Sequence, residues 1–98
     1  MSRFNDIRAW AHARNLIAGS STDKQFLKLV EEVGELAEGL AKNRPKAVID
    51  GIGDAVVVLT ILAAQLGLTI EDCIETAWDE IKDRKGRMES GVFIKEGD

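Results

Sequence analysis

One stretch of the chain, DGIGDAVVVLTILAAQL at residues 50–66, limits the possible folds more strongly than any other. It is apolar on nearly all sides from Ala55 to Ala64, yet it opens with Asp50 and Asp54, which stand one helical turn apart. A helix of this kind must be covered by several neighbours, and an ionised carboxylate in apolar surroundings is unfavourable without a partner. The stretch therefore predicts a central packed helix and a partner for Asp54.

Apolar residues recur at three- and four-residue spacing through most of the chain, which is the period of an α-helix. The spacing predicts four helices joined by short connectors, over about residues 4–18, 23–42, 44–66 and 70–84. The predicted fold class is all-α, a small four-helix bundle.

Polar residues at the expected helix starts support these boundaries. Ser21 or Thr22 is suited to cap the second helix, and Thr69 opens the sequence TIED, which is close to a capping box. Asn43 is predicted to cap the third helix, whose first turn contains Pro45. Beyond the fourth helix, the segment VFI predicts either an extended strand or a packed tail.

Composition narrows the functional class. The chain has 98 residues, which suits one domain over 1–98, and a net charge of −4, which argues against binding to a nucleic acid polymer. A single cysteine, the absence of a signal-peptide pattern and an apolar run shorter than the roughly 18 residues of a membrane span predict a cytoplasmic protein that does not bind membranes. The all-round apolar third helix predicts self-association, as a homodimer or homotetramer.

Four glutamates lie beside the apolar stripe of the second helix, in LVEEVGELAEGL: Glu31, Glu32, Glu35 and Glu38. Their spacing places several carboxylates on one helix face, where they repel. If Asp54 and Asp50 belong to the same pocket, an oxygen-only set of carboxylates suits a hard cation such as Mg²⁺. The alternative is a solvated helix face, with Asp50 in an exposed first turn.

These acidic segments carry a resemblance. EEVGE at 31–35, followed some twenty residues later by GDAVVVL, resembles the paired motifs of the MazG-like, all-α nucleoside triphosphate pyrophosphohydrolases, which include dimeric dUTPases and dCTP pyrophosphatases. The first motif, Glu-Glu-x-x-Glu, is complete. The second, Glu-x-x-Asp, has Gly51 where the glutamate is expected. The resemblance covers residues 22–87, between an N-terminal helix and loop (1–21) and a tail (88–98).

The resemblance implies Mg²⁺-dependent hydrolysis of a nucleoside triphosphate to a monophosphate and pyrophosphate, with Mn²⁺ as a substitute metal. It implies metal ligation by Glu32, Glu35 and Asp54, with Asp50 in place of the missing glutamate. Glu31 is expected either to hold a second metal or to act as the base toward water, and Glu35 also belongs to the expected catalytic set.

Other residues are candidates for substrate contacts. The basic residues at the end of the fourth helix could bind phosphates, or could simply be cations at a helix C-terminus: Lys82, Arg84, Lys85 and Arg87. Residues on the first helix and at the start of the second could bind the base, although their aromatic members also suit a core: Trp10, Arg14, Asn15 and Phe26. A non-catalytic helical interaction module is the rival hypothesis, and Gly51 is its main support.

Overall fold

A computed structural model describes residues 2–97. It contains four helices and a C-terminal β-hairpin: α1 (Arg3–Ala13), α2 (Thr22–Ala41), α3 (Pro45–Gln65), α4 (Ile70–Ile81), β1 (Gly86–Glu89) and β2 (Val92–Lys95). Helix α3 is central, because it packs extensively against α2 and also contacts α1 and α4. The predicted all-α, four-helix fold is confirmed.

Side-chain caps begin three of the helices. The Ser21 hydroxyl accepts a hydrogen bond from the Lys24 amide at 3.2 Å, and Thr69 accepts one from the Asp72 amide at 3.1 Å. Both caps satisfy amides that have no partner within the helix. The predicted caps of α2 and α4 are therefore confirmed, with Ser21 chosen over Thr22.

Two asparagines end helices, and one of them corrects the sequence prediction. Asn15 has a φ of 58°, in the left-handed region, so α1 ends at Ala13 and not near residue 18. Asn43 has a φ of 52°, and the amide of Arg44 bonds back to the carbonyl of Gly39 at 2.9 Å. Asn43 therefore terminates α2 in the manner of a glycine C-cap and does not cap α3.

The C-terminal segment forms a hairpin, so the strand alternative for VFI is correct. Strands β1 and β2 pair antiparallel, with Met88 opposite Phe93 and Glu89 opposite Val92. Ser90 and Gly91 form the two-residue turn, with φ values of 49° and 80°, as a type I′ hairpin requires. Helix α4 ends at Ile81, a few residues before the end predicted from its periodicity.

Two glycines let α2 and α3 approach closely. A Cβ at position 51 would lie 2.9 Å from the Leu36 Cβ, and one at position 39 would lie 3.1 Å from the Ala47 Cβ. Both glycines are buried. The close contact brings the acidic segment of α2 beside the start of α3.

Helix α1 is held by polar contacts as well as by packing. The Arg8 guanidinium bonds both carboxylate oxygens of Glu71 at 2.7 Å, which joins α1 to the first turn of α4. The Gln65 amide group lies 3.4 Å from the carbonyls of Leu16 and Ile17, which ties the loop after α1 to the end of α3. These contacts fix the position of α1 over α3.

Helix α3 also has the length and apolarity of a membrane span. It is 21 residues long, and its most apolar stretch of 18 residues has a mean hydropathy of 2.0. Of that stretch, 28% is buried. The apolar run after Asp54 is too short for a span, whereas the whole helix Pro45–Gln65 is long and apolar enough by length and composition. A single such helix is weak evidence for a membrane, because core helices of soluble proteins share these properties.

We expect alanine to have opposite effects at two glycines of α3. Gly51→Ala should lower the free energy of unfolding by about 1–3 kcal/mol, because the new methyl group meets Leu36. Gly53→Ala, with nothing within 4 Å, should raise it by about 0.5–1 kcal/mol through helix propensity. Urea denaturation of both variants measures the difference, and equal effects would contradict the close-approach role of Gly51.

Candidate active site

Glu32 is the most buried acidic side chain at the α2–α3 contact. The residue is 5% exposed, and its Oε2 has no hydrogen-bond partner. Its Oε1 lies 3.3 Å from the Lys28 ammonium. A buried carboxylate oxygen without a partner is costly, so this atom marks a position where a cation or a donor would be stabilising.

The charge of Glu32 raises the pKa of two neighbouring carboxyl groups, those of Glu35 and Asp54. The charge of Glu32 is the largest influence on Glu35 and raises the pKa of that carboxyl above its ordinary value, with desolvation adding to the effect. Desolvation raises the pKa of Asp54, and the charges of Glu32 and Asp50 raise it further. The charge of Glu32 thus acts on Glu35 along α2 and on Asp54 across to α3, and Asp50 acts on Asp54 along α3.

Lys28 partly neutralises this acidic group. Its ammonium lies 3.3 Å from Glu32 and 3.6 Å from Glu31, one helical turn away on α2. The positive charge of Lys28 also opposes the upward pKa shifts of Glu35 and Asp54. Glu31 itself is on the exposed side, with 58% of its side chain accessible.

A cavity of about 310 Å³ opens beside these acids, between α2 and α3. Its lining includes Glu35, Asp50, Asp54 and Arg44. Gly51 also lines it, but a side chain at position 51 would meet Leu36 and has no space there. Asp50, one residue earlier, is therefore the second carboxylate that α3 presents beside Asp54.

A second cavity, of about 420 Å³, lies on the other side of Asp54, between α1 and α3. Trp10, Ile7 and Val57 give it apolar walls, and Asp6 contributes a second carboxylate. Trp10 was a predicted base-binding residue, and the structure brings it to the same cavity as Asp54. An apolar cavity with a few polar groups is typical of a small-molecule site.

The other predicted base-binding residues do not line this cavity among the residues that the structure describes. The Arg14 guanidinium stacks on the Trp10 ring, 4.5 Å from its centre. Asn15 forms the turn after α1, and Phe26 is exposed on α2. Only Arg14 is thus linked to the cavity, through Trp10.

The predicted phosphate-binding cations lie apart from the acids. Arg84 and Lys85 line a separate cavity of about 490 Å³ at the base of the hairpin, together with acidic Glu80, Asp83 and Glu96. Lys82 pairs with Asp79 at 3.2 Å, and Arg87 pairs with Glu89 at 2.8 Å. Within one chain, these four cations are not brought to the acidic cavity.

Sequence reasoning missed two residues of the site. Arg44 lines the acidic cavity, although its position at the predicted start of the third helix carried no signal of a site. Asp6 lines the Trp10 cavity, and its four-residue spacing from Trp10 was a signal that they share a helix face. Neither position belongs to the acidic motifs.

The arrangement of donors limits what the site can hold. Within residues 2–97, no group of three or more acidic, histidine or cysteine side chains is gathered closely enough to hold a metal ion as it stands. Mg²⁺, however, commonly binds through one or two carboxylates and completes its shell with water and phosphate oxygens. The oxygen-only donors and the unpartnered Glu32 Oε2 fit such an ion.

Comparison with known proteins identifies the family. Residues 21–88 match the MazG nucleotide pyrophosphohydrolase domain, so the chain belongs to this family. An uncharacterized 18.2 kDa protein in the rep-hol intergenic region of Haemophilus phage HP1 (strain HP1c1) is 53% identical over 60 residues. The alignment covers 61% of this chain and 37% of the phage protein, so the chain spans little more than a third of that relative. No solved structure matches.

The repulsion around Glu35 predicts a pH dependence of stability. Because the pKa of Glu35 is raised in the folded state, its contribution favours folding at low pH and is lost as pH rises from about 4.3 through the folded value. Glu35→Gln should therefore reduce the loss of stability toward neutral pH. The lowered pKa values of Glu38 and Glu71 instead favour folding at higher pH. The wild type and Glu35→Gln both contain these two residues, so their effects cancel when the two proteins are compared.

Urea denaturation at about pH 5 and about pH 8, without divalent metal ions, measures this effect. Glu75→Gln on α4 removes the same charge outside the acidic group and is the matched control. A Glu35→Gln curve parallel to that of the wild type would contradict the coupling of Glu35 to Glu32.

Proposed function

We propose that the protein is a Mg²⁺-dependent pyrophosphohydrolase that converts a nucleoside or deoxynucleoside triphosphate to the monophosphate and pyrophosphate. The observation that carries the proposal is the buried Glu32, with an unpartnered Oε2, beside the carboxyl groups of Glu35 and Asp54. Membership in the MazG nucleotide pyrophosphohydrolase family supports the reaction class.

Glu32, Glu35 and Asp54 are the proposed metal ligands, and Asp50 takes the place of the glutamate that Gly51 lacks. Their mutual repulsion is unfavourable in the metal-free protein, which a divalent cation would relieve. A bound Mg²⁺ supplies a Lewis acid that stabilises charge on the phosphate oxygens. Mn²⁺ would serve in the same positions, since it also prefers oxygen ligands.

The reaction also requires a proton acceptor. A water oxygen bonds to phosphorus while the α–β anhydride bond breaks, and the water loses a proton to a carboxylate. Glu31 is the proposed base, because it is not among the proposed metal ligands and its side chain is exposed beside Lys28. Ligation of a second metal by Glu31 is the alternative, and Glu35 belongs to the catalytic set through its contact with the metal ion.

The Trp10 cavity is the proposed site of the nucleobase. It adjoins Asp54, so a base against Trp10 would have its phosphates directed toward the acidic residues. Trp10 offers a ring for stacking, Arg14 supports that ring from one face, and Asp6 offers an acceptor to base N–H groups. Asn15 and Phe26 remain predicted base contacts without such support.

Self-association is part of the proposal. The accessible surface is 7303 Å², whereas a monomer of 10.7 kDa has about 5,500 Å². The excess of roughly 1,800 Å² on one chain is more than the roughly 800 Å² that each partner buries in a standard protein–protein interface. The Cα radius of gyration of 16.2 Å likewise exceeds the value of about 13 Å for a compact domain of this size.

Large apolar side chains are exposed on the two packed helices: Phe26, Val30, Val33, Leu40, Ile49 and Ile52. A second copy that covers them could also bring its Lys82, Arg84, Lys85 and Arg87 to the acidic cavity. In that arrangement, the cations would bind substrate phosphates across the interface.

Light scattering at micromolar concentration should give the mass of a dimer or tetramer. Val33→Glu, in the centre of the exposed face of α2, should shift the protein toward monomer, because a charge would then be buried at the interface. Glu75→Gln on α4 is a control that should leave the mass unchanged. A monomeric wild type would contradict self-association.

Asp54→Asn tests the catalytic role of the acidic residues. The substitution keeps the shape but removes a charge that a metal ion needs, so hydrolysis should fall by roughly two orders of magnitude or more. Metal-free stability should stay level or rise, because repulsion from Glu32 and Asp50 is relieved. A structural ion pair of Asp54 with a cation would instead predict a loss of about 3–5 kcal/mol.

The assay incubates a panel of nucleoside triphosphates with Mg²⁺ and separates monophosphate and pyrophosphate from diphosphate and phosphate. Asp23→Asn, in the first turn of α2, is the matched charge control. Full activity in Asp54→Asn would remove Asp54 from the reaction. If the wild type shows neither hydrolysis nor stabilisation by Mg²⁺, the result would favour the non-catalytic interaction module. The glycine at position 51, where the family motif has a glutamate, is the sequence feature behind that hypothesis.

A further inference from the structure

The acidic cavity between α2 and α3 contains a cation as well as carboxylates. Arg44 is the one basic residue among the described residues that line it, together with the carboxyl groups of Glu35, Glu38, Asp50 and Asp54. Arg44 immediately precedes Pro45, so its backbone is extended and its amide is bound to the carbonyl of Gly39. The turn between α2 and α3 therefore fixes the origin of the Arg44 side chain at the edge of the cavity.

The existing partner of Arg44 holds it only loosely. The nearest acidic oxygen is Glu38 Oε1, at 3.7 Å, and this same oxygen already accepts a 2.8 Å hydrogen bond from Lys42. The Arg44 side chain is 61% exposed, so a pair at this distance contributes little to stability. The guanidinium therefore keeps donors that can bind an anion entering the cavity.

The carboxylates that line the cavity strongly repel a triphosphate. A divalent metal ion neutralises only part of the negative charge of the triphosphate. Arg84 and Lys85, between α4 and β1, line another cavity in the same chain. We propose that Arg44 binds the phosphate chain of the substrate in this cavity between α2 and α3. The fork of donors in a guanidinium matches two phosphate oxygens, which a lysine does not. The inference rests on the proposed function of the same cavity.

The experiment compares Arg44→Gln with Lys42→Gln. Both substitutions remove one positive charge, and both remove a partner of Glu38, but Lys42 does not line the cavity. Calorimetric titration with inorganic tripolyphosphate and Mg²⁺ measures phosphate binding without turnover. Arg44→Gln should weaken binding about tenfold relative to Lys42→Gln, as expected for the loss of a charge-assisted pair. Arg44→Lys should recover part of the loss.

Steady-state kinetics provide a second readout, with a nucleoside triphosphate that the wild type hydrolyses. Arg44→Gln should raise KM about tenfold and change kcat less, because the contact forms in both the ground state and the transition state. Circular dichroism establishes that each variant is folded.

The outcomes separate this inference from the proposed function. Equal tripolyphosphate affinities of Arg44→Gln and Lys42→Gln, with hydrolysis in the wild type, would overturn the role of Arg44 alone. Arg44-dependent binding without hydrolysis of any triphosphate would support the phosphate contact and overturn the proposed function. A wild type that neither binds tripolyphosphate nor hydrolyses a triphosphate would overturn both.

Discussion

The close packing of α2 against α3 is the contact on which the rest of the structure depends. Gly39 and Gly51 remove the side chains that would separate the two helices, so Leu36 lies against the backbone of α3. This contact buries Glu32 and places it beside Asp54. A larger residue at position 51 would separate the helices and, with them, the acidic groups.

The same contact has an electrostatic cost. Several carboxyl groups are held near one another, and the pKa values of Glu35 and Asp54 rise because repulsion and desolvation disfavour their charged forms. Lys28 neutralises part of the charge from the α2 side, and Arg44 faces the cavity from the α2–α3 turn. A site that retains unfavourable charge in the absence of a ligand is typical of a functional site, since the ligand supplies the missing compensation.

Much of the fold could be predicted from the sequence, because helix period and caps are local properties. The four helices, the caps at Ser21 and Thr69, and the acidic motifs of α2 and α3 were all predicted. Helix ends were less predictable. Asn15 and Asn43 adopt left-handed backbone conformations. The sequence alone also allows these residues to lie within a helix or at its N-cap. The sequence did not distinguish a strand from a packed tail at the C-terminal end, because the short strands depend on pairing between Met88 and Phe93. Periodicity does not reveal such pairing.

The sequence by itself determined the helix order, the spacing of the carboxylates and the resemblance to the family that the comparison established. Only the tertiary structure decided which of these residues meet, because distances between helices depend on packing and not on spacing along the chain. It brought Asp6 and Arg44 to cavities that no motif indicates, and it left Lys82 and Arg87 with local acidic partners. It also decided that position 51 faces Leu36, where a glycine is required for contact and a glutamate has no space.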